Sequence, residues 1–141
     1  MIAVDTNILI YAHRREFPQH ADALRALSSL AEGSELWAIP AVCLSEFLRV
    51  ATHPSILKPA STIDQASRSV EALLASPSLR LLTPGDRHAA LLLQLVREHQ
   101  ITGNLVFDAQ IVALCLEHGV RDILTEDRDF GRFPQIAPHG V

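Results

Sequence analysis

The chain has 141 residues, 48% hydrophobic and 20% charged, with 12 Lys and Arg against 16 Asp and Glu for a formal net charge of −4. Such a composition describes one well-cored globular domain, spanning residues 1–141, able to bury roughly 70% of the surface its unfolded chain exposes. It argues against a basic nucleic-acid binder, and no apolar run approaches the ~18 residues of a membrane span.

The apolar periods alternate between strand-like and helix-like along the chain. Ile2-Ala3-Val4 is a short β run, followed by a predicted helix over 6–13 and a second over 20–32 that stops at Gly33. Leu36-Trp37-Ala38-Ile39 reads as a strand, with Pro40 in the first turn of a helix running to about His53. After the Pro54–Pro59 loop, Ser61 or Thr62 caps an amphipathic helix over 62–75. Leu79 to Leu82 is a strand, 86–98 a helix, and Asn104 caps a helix ended by Gly119. Asp122 to Thr125 is the last predicted strand, and the tail holds only short apolar pieces. Short strands alternating with helices predict an α/β fold with a parallel sheet. Asp5 and Asn7 break up the start, so no signal peptide is visible. Cys43 and Cys115 sit far apart in apolar patterns and read as small core residues. A reducing cytoplasm is the expected compartment.

Four carboxylates are locally out of place. Asp5 follows the first strand, and Asp127 lies just past the last one. Asp108 interrupts a run from Leu105 to Leu116 with almost no other polar residue, sharing a helical stripe with Leu105, Ile111 and Val112. Glu46 has Val42, Cys43 and Val50 at one-turn positions, and Arg49 at the fourth. Unpaired carboxylates are costly to bury, so such groups are normally paired or bind a metal. In an open parallel sheet the carboxyl ends of the strands form the ligand edge. Asp5 and Asp127 emerge there, and the helices carrying Glu46 and Asp108 can flank it. Oxygen donors without His or Cys point to Mg²⁺ or Mn²⁺ rather than zinc. No histidine pair has metal-ligand spacing, no glycine-rich phosphate loop is present, and no nucleophile elbow occurs.

These residues also carry a resemblance. Asp5-Thr6-Asn7-Ile8-Leu9-Ile10-Tyr11-Ala12, then Ser45-Glu46-Phe47, Asp108-Ala109-Gln110-Ile111 and Leu124-Thr125-Glu126-Asp127-Arg128-Asp129-Phe130 together resemble PIN-domain nucleases. The opening looks particularly like that of the VapC toxins of bacterial toxin–antitoxin pairs. The His13-Arg14-Arg15 stretch and the Leu114-Cys115-Leu116-Glu117-His118-Gly119 run look most like mycobacterial or actinobacterial members. The resemblance implies a three-layer fold with a central parallel sheet, and RNA hydrolysis with a divalent metal. By position it makes Asp5, Glu46 and Asp108 the core ligands and Asp127 the fourth acid, with Asp129 as substitute or supporting partner. Thr6 and Thr125 are then candidates to orient ligands or metal-bound water, and Asn7 to brace Asp5. It further implies a VapB-type antitoxin partner and a homodimer. Arg14, Arg15, Arg49, Arg128 and Arg132 are candidate RNA phosphate contacts, although Arg49 equally suits a salt bridge to Glu46, and Arg14 and Arg15 equally suit a helix C-terminus. The competing readings are a non-catalytic PIN-like binding module and a haloacid-dehalogenase-type phosphatase. The latter needs an aspartate two residues after Asp5, where this chain has Asn7.

Overall fold

The computed structural model describes residues 1–141. Five strands form one parallel sheet: β1 (Ile2–Val4), β2 (Trp37–Pro40), β3 (Leu79–Leu82), β4 (Asp122–Leu124) and β5 (Ala137–His139). Their order across the sheet is β3-β2-β1-β4-β5. The chain therefore grows outward from β1 to one edge, then returns to pair β4 on the other side of β1. That reversal at β1 and β4 is the switch point at which open parallel sheets leave a crevice beyond their carboxyl ends.

Six helices complete the fold: α1 (Thr6–His13), α2 (His20–Glu32), α3 (Ala41–Ala51), α4 (Ile63–Leu74), α5 (His88–Glu98) and α6 (Leu105–Glu117). None is long and apolar enough to cross a membrane. α1 packs on α2 and α3, while α6 packs on α5 and reaches β2. The core is built from the fully covered strand β2 (Trp37, Ala38, Ile39), Val4 of β1, and Ile111 to Cys115 of α6. Burial of α6 on several sides explains its near-continuous apolar sequence. Cys43 and Cys115 are both buried free thiols, as their apolar surroundings imply.

The elements fall close to the expected positions, with instructive departures. Pro40 closes β2, opposite Leu82, and stands at the N-cap of α3 instead of inside its first turn. Helix α5 starts at His88 rather than 86, because the Glu117 carboxylate holds the preceding turn by accepting from the Gly85 N–H (2.8 Å) and the Arg87 N–H (2.9 Å). Asn104 occupies the N-cap position of α6, but its side chain makes no capping hydrogen bond. Gly119 does follow the end of α6, with φ at +72° in the left-handed region that glycine adopts most easily. Strand β5 went unread in the sequence because all three of its residues are exposed and one is Pro138, so neither alternation nor apolarity marks it.

Of the two candidate caps for α4, Thr62 serves. Its hydroxyl accepts from the Gln65 N–H (3.1 Å) while Gln65 Oε1 accepts from the Thr62 N–H (2.9 Å). Ser61 instead is buried and bonds His13. Thr62→Ala should lower folding stability by about 1 kcal/mol. A reduced urea midpoint at unchanged slope is the expected observation, whereas an unchanged midpoint would mean that the cap contributes nothing.

Candidate active site

Asp5 stands where β1 hands over to α1. Its N–H continues the ladder by donating to the Leu124 carbonyl at 3.0 Å, while its extended backbone lets the side chain cap the helix. One carboxylate oxygen accepts from the Thr6 N–H (2.7 Å) and the other from the Thr125 hydroxyl (2.8 Å). Capping and site-building coincide in this residue. Only 5% of Asp5 is exposed. Burial pushes its pKa up to about 6, against the two hydrogen bonds and with help from the charges of Glu46 and Asp127.

Thr125, directly after β4, organises the neighbouring strand end at the same edge of the sheet. Its hydroxyl donates to Asp5 Oδ2 and accepts from the Asp127 N–H (3.0 Å) and from Asn7 Nδ2 (3.3 Å). One proton and two lone pairs are thus all engaged. Asn7 braces the Thr125–Glu126 turn, its Oδ1 accepting from the Glu126 N–H at 3.4 Å, and reaches Asp5 only through Thr125. That engagement leaves no role for Asn7 as the second acid of a haloacid-dehalogenase-type site. The Thr6 hydroxyl is buried with no hydrogen-bond partner.

Asp127 opens a 3-10 turn over Arg128–Arg132 by accepting from the Asp129 N–H at 2.9 Å. The buried Phe130 and Phe133 seat this turn in the core, so both aspartates stand on a fixed base. Asp108 faces them from the first turns of α6. Carboxylate oxygens of Asp108, Asp127 and Asp129 all lie within 4.8 Å of one another, close enough to share one cation. Glu46 of α3 lines the same cleft, of about 770 Å³, together with Arg49, Ser45, Asn104 and Phe107. Asp5 is buried alongside rather than on the open wall. Half-burial raises the Asp108 pKa to about 7, reinforced by the charges of Asp127, Asp5, Asp129 and Glu46.

The fold therefore brings together all four carboxylates singled out in the sequence and adds Asp129, whose side chain is 49% exposed. The basic residues divide. Arg49 enters the cleft and forms no ion pair with Glu46. Arg128 lines a polar depression that shares Asp127 with the cleft, and Arg132 lies 3.7 Å from Asp129. Arg14 is instead 13% exposed, tied to Glu16, Ser61 and the Pro59 carbonyl. Neither Arg14 nor Arg15 lines the acidic cleft. Phe107 and Asn104 are cleft residues that sequence reasoning passed over. The polar Gln110, one turn after Phe107, was the available sign that this face of α6 is not core.

The donor set suits a hard divalent cation. Every donor on the cleft wall is a carboxylate oxygen, no His or Cys lines it, and a double positive charge would relieve the repulsion that adds to burial in raising the pKa of Asp5 and Asp108.

The model for the PIN domain matches residues 2–136, and the chain belongs to this family. Its relatives there include ribonuclease VapC43 of Mycobacterium tuberculosis, 36% identical over 136 residues, covering 96% of this chain and 92% of that protein. Ribonuclease VapC37 of the same organism is 35% identical over 96% of this chain and 94% of its own length. Among solved structures, VapBC2 from Rickettsia felis bound to a promoter DNA fragment superposes with a TM-score of 0.73 at 21% identity, over 99% of this chain and 98% of that one. Mycobacterium tuberculosis VapC20, described as a sarcin–ricin-loop-cleaving toxin, has a TM-score of 0.67 at 20% identity, over 93% of each chain.

The carboxyl groups dictate an unusual pH profile. Folded-state pKa values of about 6 and about 7 exceed the unfolded value of 3.8, so the folded protein binds more protons between these limits. Their contribution to stability is complete below pH 4 and is lost as pH rises through 6 and 7. For Asp108, half open to screening solvent, the loss is roughly 1–2 kcal/mol. The metal-free melting temperature of Asp108→Asn should therefore exceed that of wild type at pH 8, with the gap closing toward pH 5. A pH-independent gap would show that Asp108 does not titrate in this range.

Proposed function

We propose that this protein, folded as a single PIN domain, is the toxin of a type II toxin–antitoxin pair and a divalent-metal-dependent ribonuclease. The observation that carries the reading is the convergence of Asp5, Glu46, Asp108, Asp127 and Asp129 at the sheet's switch point in a chain related to VapC ribonucleases. Asp108, Asp127 and Asp129, with Glu46 on the same wall and Asp5 beside them, would hold Mg²⁺ or Mn²⁺. When bound, the ion supplies an activated water and charge stabilisation at the phosphate. Water oxygen adds to phosphorus, the bond to the 3′ oxygen breaks, and the products carry a 5′-phosphate and a 3′-hydroxyl. No ribose 2′-hydroxyl is consumed in this scheme.

The chain's own residues prepare the site. Thr125 fixes the orientation of Asp5, and the turn from Asp127 to Asp129 is set by its own hydrogen bonds. Arg49 in the cleft and Arg128 in the adjoining depression, both of which Asp127 lines, would receive flanking phosphates. Asp108 gives up its proton on loading, so metal affinity rises as pH passes 7. An antitoxin is the natural inhibitor of such a cleft. A second feature supports a protein partner, an apolar groove lined by Leu9, Leu24, Leu27, Phe47 and Leu73. A cytoplasmic homodimer completes the proposal.

Purified protein should cut total cellular RNA with Mg²⁺ or Mn²⁺, and not with EDTA. Asp108→Asn should lose at least about 100-fold in rate while remaining folded. Thr125→Val, which removes the donor to Asp5 and leaves the Asp127 N–H unpaired, should lose about 10–100-fold, with weaker metal binding by calorimetry. Metal-independent cutting, or an Asp108→Asn protein as active as wild type, would overturn the proposal.

A further inference from the structure

Of the seven aromatic residues in the chain, Phe107 alone is exposed, and it is 59% exposed. The other four phenylalanines, Trp37 and Tyr11 are buried or half-buried in the fold. Phe107 pairs with no other ring. A large apolar side chain held in water is informative when it has a place, and this one stands on the wall of the acidic cleft, next in sequence to Asp108.

Two further groups on that wall are uncommitted. Asn104, expected as a helix cap, makes no capping bond and is exposed. Arg49, also exposed, has no acidic partner despite Glu46 one turn before it. The cleft thus offers an aromatic face, an amide and a guanidinium, beside carboxylates suited to a phosphate-bound cation. Its volume of about 770 Å³ falls within the ~300–1,000 Å³ range of ligand sites.

We propose that Phe107 is a stacking platform for one unpaired nucleobase next to the scissile phosphate, with Asn104 able to bond the base edge and Arg49 an adjacent phosphate. The inference rests on the nuclease reading of the cleft and specifies which part of the substrate the cleft holds. Every base has a π face, so the platform requires that the nucleotide be unpaired without choosing among bases. Within a duplex the bases are stacked on one another and out of reach of a ring on the protein surface. Besides Phe107, only Val42 and Leu105 among the residues lining the cleft are apolar, which favours a base with a polar edge over an apolar protein segment.

The test compares Phe107→Ala, Phe107→Leu and Phe107→Trp in two assays. The first is steady-state cleavage of a mapped single-stranded RNA target. The second is binding of that RNA by the same variants in the Asp108→Asn background, alone and annealed to its complement. Stacking of this kind is worth about 5- to 150-fold per base, and its removal acts on KM with little change in kcat. Phe107→Ala should therefore raise KM and weaken binding by that factor. Phe107→Trp should restore both, with its fluorescence quenched by the single strand and not by the duplex. Phe107→Leu should restore neither.

Restoration by leucine would reduce the contact to simple apolarity and overturn the proposal. So would an alanine variant that cuts like wild type, including one that has lost inhibition by a co-expressed antitoxin, which would make Phe107 a protein-docking residue. Wild type that neither binds nor cuts RNA would instead overturn the nuclease reading, and the platform with it.

Discussion

The Thr125 hydroxyl joins strand ends that lie 120 residues apart in the chain. It donates to Asp5 at the end of β1 and accepts from the turn that carries Asp127 and from Asn7 of α1. A hydroxyl has one proton to give and two lone pairs to fill, and here each has one use. The central strand pair β1–β4, the start of α1 and the 3-10 turn are thereby locked in one geometry. The relative placement of Asp5, Asp127 and Asp129 follows from that lock, since Asp127 in turn holds the Asp129 backbone.

What the lock holds is electrostatically unfavourable. Asp5 and Asp108 both resist ionisation, chiefly because burial removes water from them, then because the other carboxylates repel their charge. A stable core has no need of such an arrangement, and repulsion of this kind is a familiar mark of functional sites. The surrounding fold tolerates it because the cost is concentrated at one edge. Beneath it, Trp37, Ile39, Phe47, Phe130 and Phe133 are fully covered and are among the largest side chains of the core.

The net charge of −4 is compatible with an RNA substrate once the charge is located. Acids gather where a cation would cancel them, while Arg49 and Arg128 line two depressions that share Asp127. On the proposed nuclease reading, substrate binding would depend on local chemistry rather than on a basic surface, and weak nonspecific affinity would accompany selection of unpaired segments. The uncommitted side chains of Asn104 and Phe107 fit this division. They add contacts that are indifferent to overall charge.

Much of this protein was legible before any coordinates. Alternating periods marked all six helices and four of the five strands, since each buries at least part of an apolar face and burial leaves a period in the sequence. The acids were legible for the converse reason, as carboxylates interrupting patterns that burial had written. Three things were decided only in three dimensions. Strand β5 is exposed throughout and therefore carries no pattern, and its place beside β4 follows from backbone pairing alone. The division among arginines depended on which loop captured Arg14 and which helix face turned Arg49 into the cleft. The role of Thr125 required strands from the two ends of the chain to lie side by side. Sequence determines what each segment will bury, because that preference is local. Which polar groups then meet across the sheet is set by strand order, and no single segment contains it.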